Sequence, residues 1–332
     1  MNIKPKNPHK LGAIFGSGRS GTTWLGAIIS SHPEISYRFE PFHRLEETNS
    51  EIRRVMDSIY SENFSSDSLS DIYNALSPAY PGCEKPPFFQ KNFFIRKGRR
   101  FVWPLSRNNT IGAYIFQKMY TPKQKPMLIF KEVDRVDIMI ELMKREIPIV
   151  YIVRHPCAVI SSVIKGQQNS LMPEQRRSVL DSLLKKYQPS LAKEYQDSLN
   201  SLDLCQQEAL LWLIDVERSL SACQKYSNAL IVIYEQLTEY PRKISEKIFQ
   251  HFGLQMTQQT IDFIEESTQK SSSSRIKRGE IGINSYFSVF KNPQNSRDRW
   301  KTTMSSEDRI KVMNIVWESQ LITNFFAHGF WS

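Results

Sequence analysis

Four short apolar runs constrain this chain more than any other feature: LGAIF (11–15), MLIF (127–130), IPIVYIV (147–153) and ALIVIY (229–234). Each is bounded by charge, Pro or Gly and is too short for a core helix. A continuous apolar run of this length reads as a strand covered on both faces, hence as one strand of a parallel sheet. Helical patterns lie between them: TTWLGAIISSH after the first run, VDIMIELMKRE (136–146) before the third, PCAVISSVIKG (156–166) after it, and QQEALLWLIDVERSLSACQKY (206–226) before the last. Pro156 suits the first turn of its helix. Strands alternating with helices predict an α/β fold, a doubly wound parallel sheet with flanking helices, as a single domain over residues 1–332. Ligands of such sheets bind beyond the carboxyl ends of the strands.

Two stretches break the alternation. Residues 44–125, with PPFF and FFIRKGRRFVWP, read as an irregular insertion over the ligand edge, on the acceptor side. Residues 267–299, rich in Ser, Gly and basic side chains, read as a mobile loop.

The composition is that of an ordinary globular protein: 332 residues, 40% hydrophobic and 23% charged, with a net charge of +10. That charge fits a polyanionic partner or simply a basic soluble protein. Cys83, Cys157, Cys205 and Cys223 show neither zinc spacing nor a disulfide framework, which fits a reducing compartment. No signal-like apolar segment follows the start, and no window is apolar enough to cross a membrane. The expectation is a cytoplasmic protein.

The first run enters GSGRSGTTWL. A P-loop reads Gly, four residues, Gly, Lys and Ser or Thr. Here Gly16 and Gly21 keep that spacing, but Thr22 and Thr23 follow and no lysine does. The loop is thus P-loop-like in its backbone. Gly18 and Gly21 permit close approach, a helix N-terminus points its N–H groups at an anion, and Arg19, Ser20, Thr22 and Thr23 add donors. The plain alternative is an ordinary strand-to-helix turn. A nucleotide hydrolase also needs an acid at a neighbouring strand end to hold its metal. Here Arg154 and Lys131 occupy two of those ends, and only Glu235 follows the last run. No metal is expected.

Together these residues resemble the sulfotransferase superfamily, enzymes that use 3′-phosphoadenosine-5′-phosphosulfate (PAPS). GSGRSGTTWL is similar to that family's 5′-phosphosulfate loop. VRHPCAVISS (153–162), with Arg154 and Ser162 eight residues apart, is similar to its 3′-phosphate motif. VIYEQL (232–237) is similar to its adenine-side element. The resemblance implies PAPS as donor and a hydroxyl-bearing acceptor such as a carbohydrate, lipid or small molecule, with no nucleic acid involved. It implies that Trp24 and Tyr234 flank the adenine, although each also reads as a core aromatic. IKRGEIG (276–282) resembles the stretch that closes over the 3′-phosphate, which implies that Lys277 and Arg278 cover the cofactor; SRDRWKTTMSSED (296–308) resembles a rival element of bacterial members.

The reaction needs a base, and the His of the cytosolic members has no counterpart. YRFEPFH (37–43) instead resembles carbohydrate-type members, so Glu40 is the expected general base and His43 the reserve. Flanking Phe39, Pro41 and Phe42 are expected to desolvate Glu40 and raise its pKa. Its alternative is a structural carboxylate paired with an arginine. Arg19 and Lys131 are expected to stabilise the leaving phosphate, with a strand-end salt bridge to the neighbouring Glu132 or Asp134 as the other reading of Lys131. The basic, aromatic run FIRKGRRFVWP (94–104) reads either as a contact for an acidic or glycan acceptor or as a solvated loop. Two rival functions remain: a P-loop-type kinase or NTPase with a degenerate loop, and a non-catalytic nucleotide-binding module.

Overall fold

The computed structural model describes residues 10–61, 66–93, 98–171, 178–268, 289 and 293–326. Five parallel strands form one sheet in the order β2-β3-β1-β4-β5, with β1 Leu11–Gly16, β2 Ile35–Phe39, β3 Met127–Lys131, β4 Ile149–Val153 and β5 Ala229–Ile233. Alternate residues of each strand enter opposite cores. Ala13, Phe15, Phe130, Tyr151 and Val153 face one cluster, while Ile14, Ile129, Val150 and Ile152 face the other. Such two-sided burial is why the runs are continuously apolar. Helix α1 (Thr22–Ser31) packs on the second face together with Pro241–His251 and Gln258–Thr268. The first face is covered by α7 (Val136–Met143), α8 (Pro156–Gln168) and the long helix Leu204–Lys225. The α/β, P-loop-like architecture expected from the sequence is therefore the architecture found.

Two expectations need correction. Strand β2, ISYRF, is a fifth strand that the apolar runs do not announce. Its Arg38 is buried and still satisfied: the guanidinium donates to the carbonyls of Tyr37, Leu76, Ser77 and Pro78 and pairs with Glu84 at 3.2 Å. The stretch 44–125 is also not irregular. It contains α2 (Pro41–Leu45) at its entry, then α3 (Ser50–Tyr60), α4 (Ser66–Leu76), α5 (Arg99–Ser106) and α6 (Thr110–Tyr120). Asn49 and Asn109 cap α3 and α6 by accepting backbone N–H groups. This helical layer covers the β2 edge of the sheet, where Lys91 donates to the carbonyls of Ser30, His32 and Ile35.

Strand β1 sits between β3 and β4: the chain leaves it toward β2 and β3 on one side and then crosses to β4 and β5 on the other. The crevice at its carboxyl end is where an open α/β sheet places its ligand.

Candidate active site

A cleft of about 960 Å³ opens at the carboxyl ends of the strands. Its walls include Gly18, Arg19, Gly21, Thr22, Thr23 and Trp24 from β1 and α1, Phe39 and Glu40 from β2, Lys131 from β3, and Arg154 and Ser162 from β4 and α8. Side chains far apart in sequence are thus gathered in one place. Arg19, Arg44, Lys85, Arg107, Lys131, Arg154, Lys165 and Arg299 also outnumber the lining acids Glu40, Glu84 and Asp308.

The loop after β1 is held in an unusual backbone shape. Arg19 has φ 67° and Gly21 φ 97°, and a Cβ at Gly21 would run into the Tyr234 ring. Glycine is required there twice over, by conformation and by space. The Gly18 N–H donates to Asp134 Oδ1 at 3.0 Å, fixing the loop against the turn after β3. Ser20 is fully buried.

Arg19 Nε donates to Ser162 Oγ at 3.1 Å. Arg154 Nη1 donates to the Arg19 carbonyl at 3.2 Å and Nη2 to the Ser296 carbonyl at 2.5 Å. Its guanidinium stacks 4.4 Å from the centre of the Tyr234 ring. Arg154 Nε is buried without a hydrogen-bond partner among the described residues, an orphaned donor at the cleft wall. Tyr234 opens the helix Tyr234–Glu239, rather than ending β5, and its hydroxyl donates to the Pro293 carbonyl at 3.4 Å. Trp24 meets Tyr234 edge-on at 6.5 Å and donates its indole N–H to Ser267 Oγ at 3.1 Å. It is a core aromatic with one edge at the cleft.

Glu40 occupies the turn between β2 and α2 with φ 49°. Its carboxylate pairs with Lys131, which is almost wholly buried, and with Arg44 one helical turn on at 3.3 Å. Burial would push the carboxyl upward, but Lys131 and Arg44, helped by His43, bring it down to about 2. The expectation of a raised pKa is therefore wrong: cations reach the carboxylate as well as the aromatic rings beside it. The exposed His43 is absent from the cleft wall, and its N–H faces Glu132 Oε1 at 3.4 Å.

Glu132 was not anticipated. Fully buried, it accepts the Phe42 N–H at 2.7 Å and so tethers the start of α2, while its Oε2 has no partner among the described residues. Burial and the nearby Glu40 charge push it up to about 8, outweighing the Phe42 N–H and Lys131. Also unforeseen is His155, which caps α8 through Nδ1 and stacks on Trp300 at 4.3 Å. Burial, with Lys301 and Arg154, drives it down to about 3, so it is neutral. Glu235, the acid after the last run, accepts the His155 N–H at 3.1 Å.

Of the two C-terminal elements, SRDRWKTTMSSED reaches the cleft through Ser296, Arg299 and Trp300. Lys277 and Arg278 lie outside the described residues. Within FIRKGRRFVWP, Arg99 is turned inward to pair with Glu84, so it is not a solvated cation. No helix among the described residues is long and apolar enough to cross a membrane.

No curated protein matches the sequence. Among solved structures, the fold is similar to a mouse sulfotransferase, SULT7A1, complexed with PAP, at 12% identity and a TM-score of 0.50, covering 97% of this chain and 90% of that one. Also similar is the sulfotransferase domain of the Synechococcus PCC 7002 olefin synthase, at 16% identity and a TM-score of 0.47, covering 93% and 94%. A family model described as the sulfotransferase family matches residues 13–258, most of the chain, from within β1 to beyond β5. The chain belongs to the sulfotransferase family.

Proposed function

We propose that this chain transfers the sulfuryl group of PAPS to a hydroxyl of an acceptor, with Glu40 as general base. The observation that carries the reading is the junction at the mouths of β1 and β4, where the Arg19 side chain donates to Ser162 and the Arg154 side chain donates to the Arg19 carbonyl. The mouse relative was solved with PAP, and the orphaned Arg154 Nε at the cleft wall suits an anionic nucleotide. Residues Gly18 to Thr23, with the N-terminus of α1, would hold the 5′ side; Arg154 and Ser162 would hold the 3′-phosphate; Trp24 and Tyr234 would flank the adenine. Lys277 and Arg278 are proposed to cover the same end.

Bound there, PAPS supplies an activated sulfuryl group and a bisphosphate as leaving group. The protein's share is positioning and charge. Arg19 faces the charge that develops on leaving, and Lys131 stands at the end of β3 beside the acceptor side. While Lys131 and Arg44 grip Glu40, its carboxylate is ionised but weakly basic. A Lys131 ammonium that turns toward an anion in the cleft releases Glu40 and raises its basicity, so filling the donor site readies the base. Glu40 then takes the proton of the acceptor hydroxyl as the new O–S bond forms.

A sulfur-35 transfer assay across a panel of alcohols tests the reading. Labelled product that depends on Arg154 and Glu40 supports it. Tight nucleotide binding with no transfer to any acceptor would instead favour a non-catalytic binding module.

A further inference from the structure

The acceptor half of the cleft carries more positive charge than sulfuryl transfer to a neutral alcohol requires. Three cations surround one ring: Lys131 Nζ, Lys85 Nζ and the Arg44 guanidinium carbon lie 4.4, 4.6 and 4.7 Å from the centre of Phe39. The carboxylate among them, Glu40, is divided between Lys131 and Arg44. Further along the same wall Glu84 is divided between Arg38 and Arg99, and Arg107 stands 5.1 Å over the Trp103 ring. Burial, with Arg38 beside it, pulls the Arg99 guanidinium down to about 9.

Lys131 is shared with the donor, whereas Arg44, Lys85 and Arg107 have no part in holding it. Arg19, Ser162 and Arg154 sit at the mouths of β1 and β4, whereas Phe39, Glu40 and Lys131 end β2 and β3 on the other side of β1. A low-dielectric wall with surplus cations focuses its field on whatever anion enters. Resting on the transfer chemistry above, we propose that the acceptor itself bears a fixed negative charge (a carboxylate, sulfate or phosphate) near the reacting hydroxyl, and that Arg44, Lys85 and Arg107 hold it. The anionic group draws the acceptor into the half of the cleft where Glu40 stands, and a neutral alcohol of the same shape lacks that anchor.

The test uses the full chain saturated with PAP, so that the donor site is filled, and titrates paired probes calorimetrically: D-glucuronate against D-glucose, and D-glycerate against glycerol. The anionic member of each pair is expected to bind about tenfold tighter or more at low salt. That advantage is expected to vanish near 1 M salt, where screening acts within about 3 Å. It should also vanish in a Lys85→Ala/Arg107→Ala double variant that keeps its PAP affinity, and return with Lys85→Arg/Arg107→Lys. Equal binding of the paired probes to the PAP-loaded protein, or an advantage that survives the alanine pair, overturns the inference and leaves the transfer reading standing. A chain that takes up no PAP overturns both.

Discussion

Arg19 Nε and Ser162 Oγ, 143 residues apart in the chain, meet at 3.1 Å and join the loop after β1 to the helix after β4. The two elements proposed to bind the cofactor thereby become one surface. Removing the hydroxyl in Ser162→Ala should weaken PAP binding by about 1 kcal/mol, and Arg154→Ala by about 2–3 kcal/mol, because a charged donor is lost. Calorimetry on the two variants checks the order. An Arg154→Ala protein that binds PAP as the parent does would remove Arg154 from the site.

Glu40→Gln keeps the side chain's shape and deletes its basicity. Turnover should fall by about 10²–10⁴-fold, with PAP affinity nearly unchanged. Parental turnover in this variant means that another group takes the proton.

The two carboxyls at the end of β2 and β3 give opposite pH signatures. Glu40 is held down to about 2, so its stabilising contribution is complete above its ordinary 4.5 and is lost as pH falls from there through 2. Glu132 is pushed up to about 8: the folded protein binds its proton more tightly than the unfolded chain, and stability drains away as pH rises from 4.5 through 8. A Glu132→Gln variant, neutral at every pH, should therefore gain in Tm over the parent at pH 8–9 and lose that gain near pH 4. A difference in Tm independent of pH would show that Glu132 is charged in the fold.

Glu84 lies between the buried guanidinium of Arg38 and the part-buried one of Arg99. Glu84→Gln leaves both without their counter-charge and should destabilise the protein by about 3–5 kcal/mol in urea unfolding. A loss below about 1 kcal/mol would mean that the backbone carbonyls around Arg38 suffice alone.

Sequence periodicity reveals the sheet where strands are apolar on both faces, as in β1, β3, β4 and β5. It misses β2 because Ser36 and Arg38 interrupt the run. Arg38 is buried nonetheless, since the carbonyls of residues 76–78 and Glu84 satisfy it, and nothing local to ISYRF announces those partners. The glycine-rich loop and the Arg154–Ser162 spacing are legible because each is a local pattern, and the fold brings them together. The electrostatics of Glu40 are not legible in that way. Its sequence neighbours suggest desolvation, while the ammonium of Lys131, 91 residues away, and the guanidinium of Arg44 together outweigh it. The helices of 44–125 are obscured by Asn and Pro: Asn49 and Asn109 cap α3 and α6, and Pro104 lies inside α5.

The most direct measurement is a pair of calorimetric titrations of the full chain, one with PAP in the absence of magnesium and one with Mg-ATP. If Arg19, Ser162 and Arg154 together form a seat for an adenosine 3′,5′-bisphosphate, PAP binds tightly without metal and Mg-ATP binds poorly. A preference for Mg-ATP, or no binding of PAP, contradicts that seat and the transfer chemistry built on it.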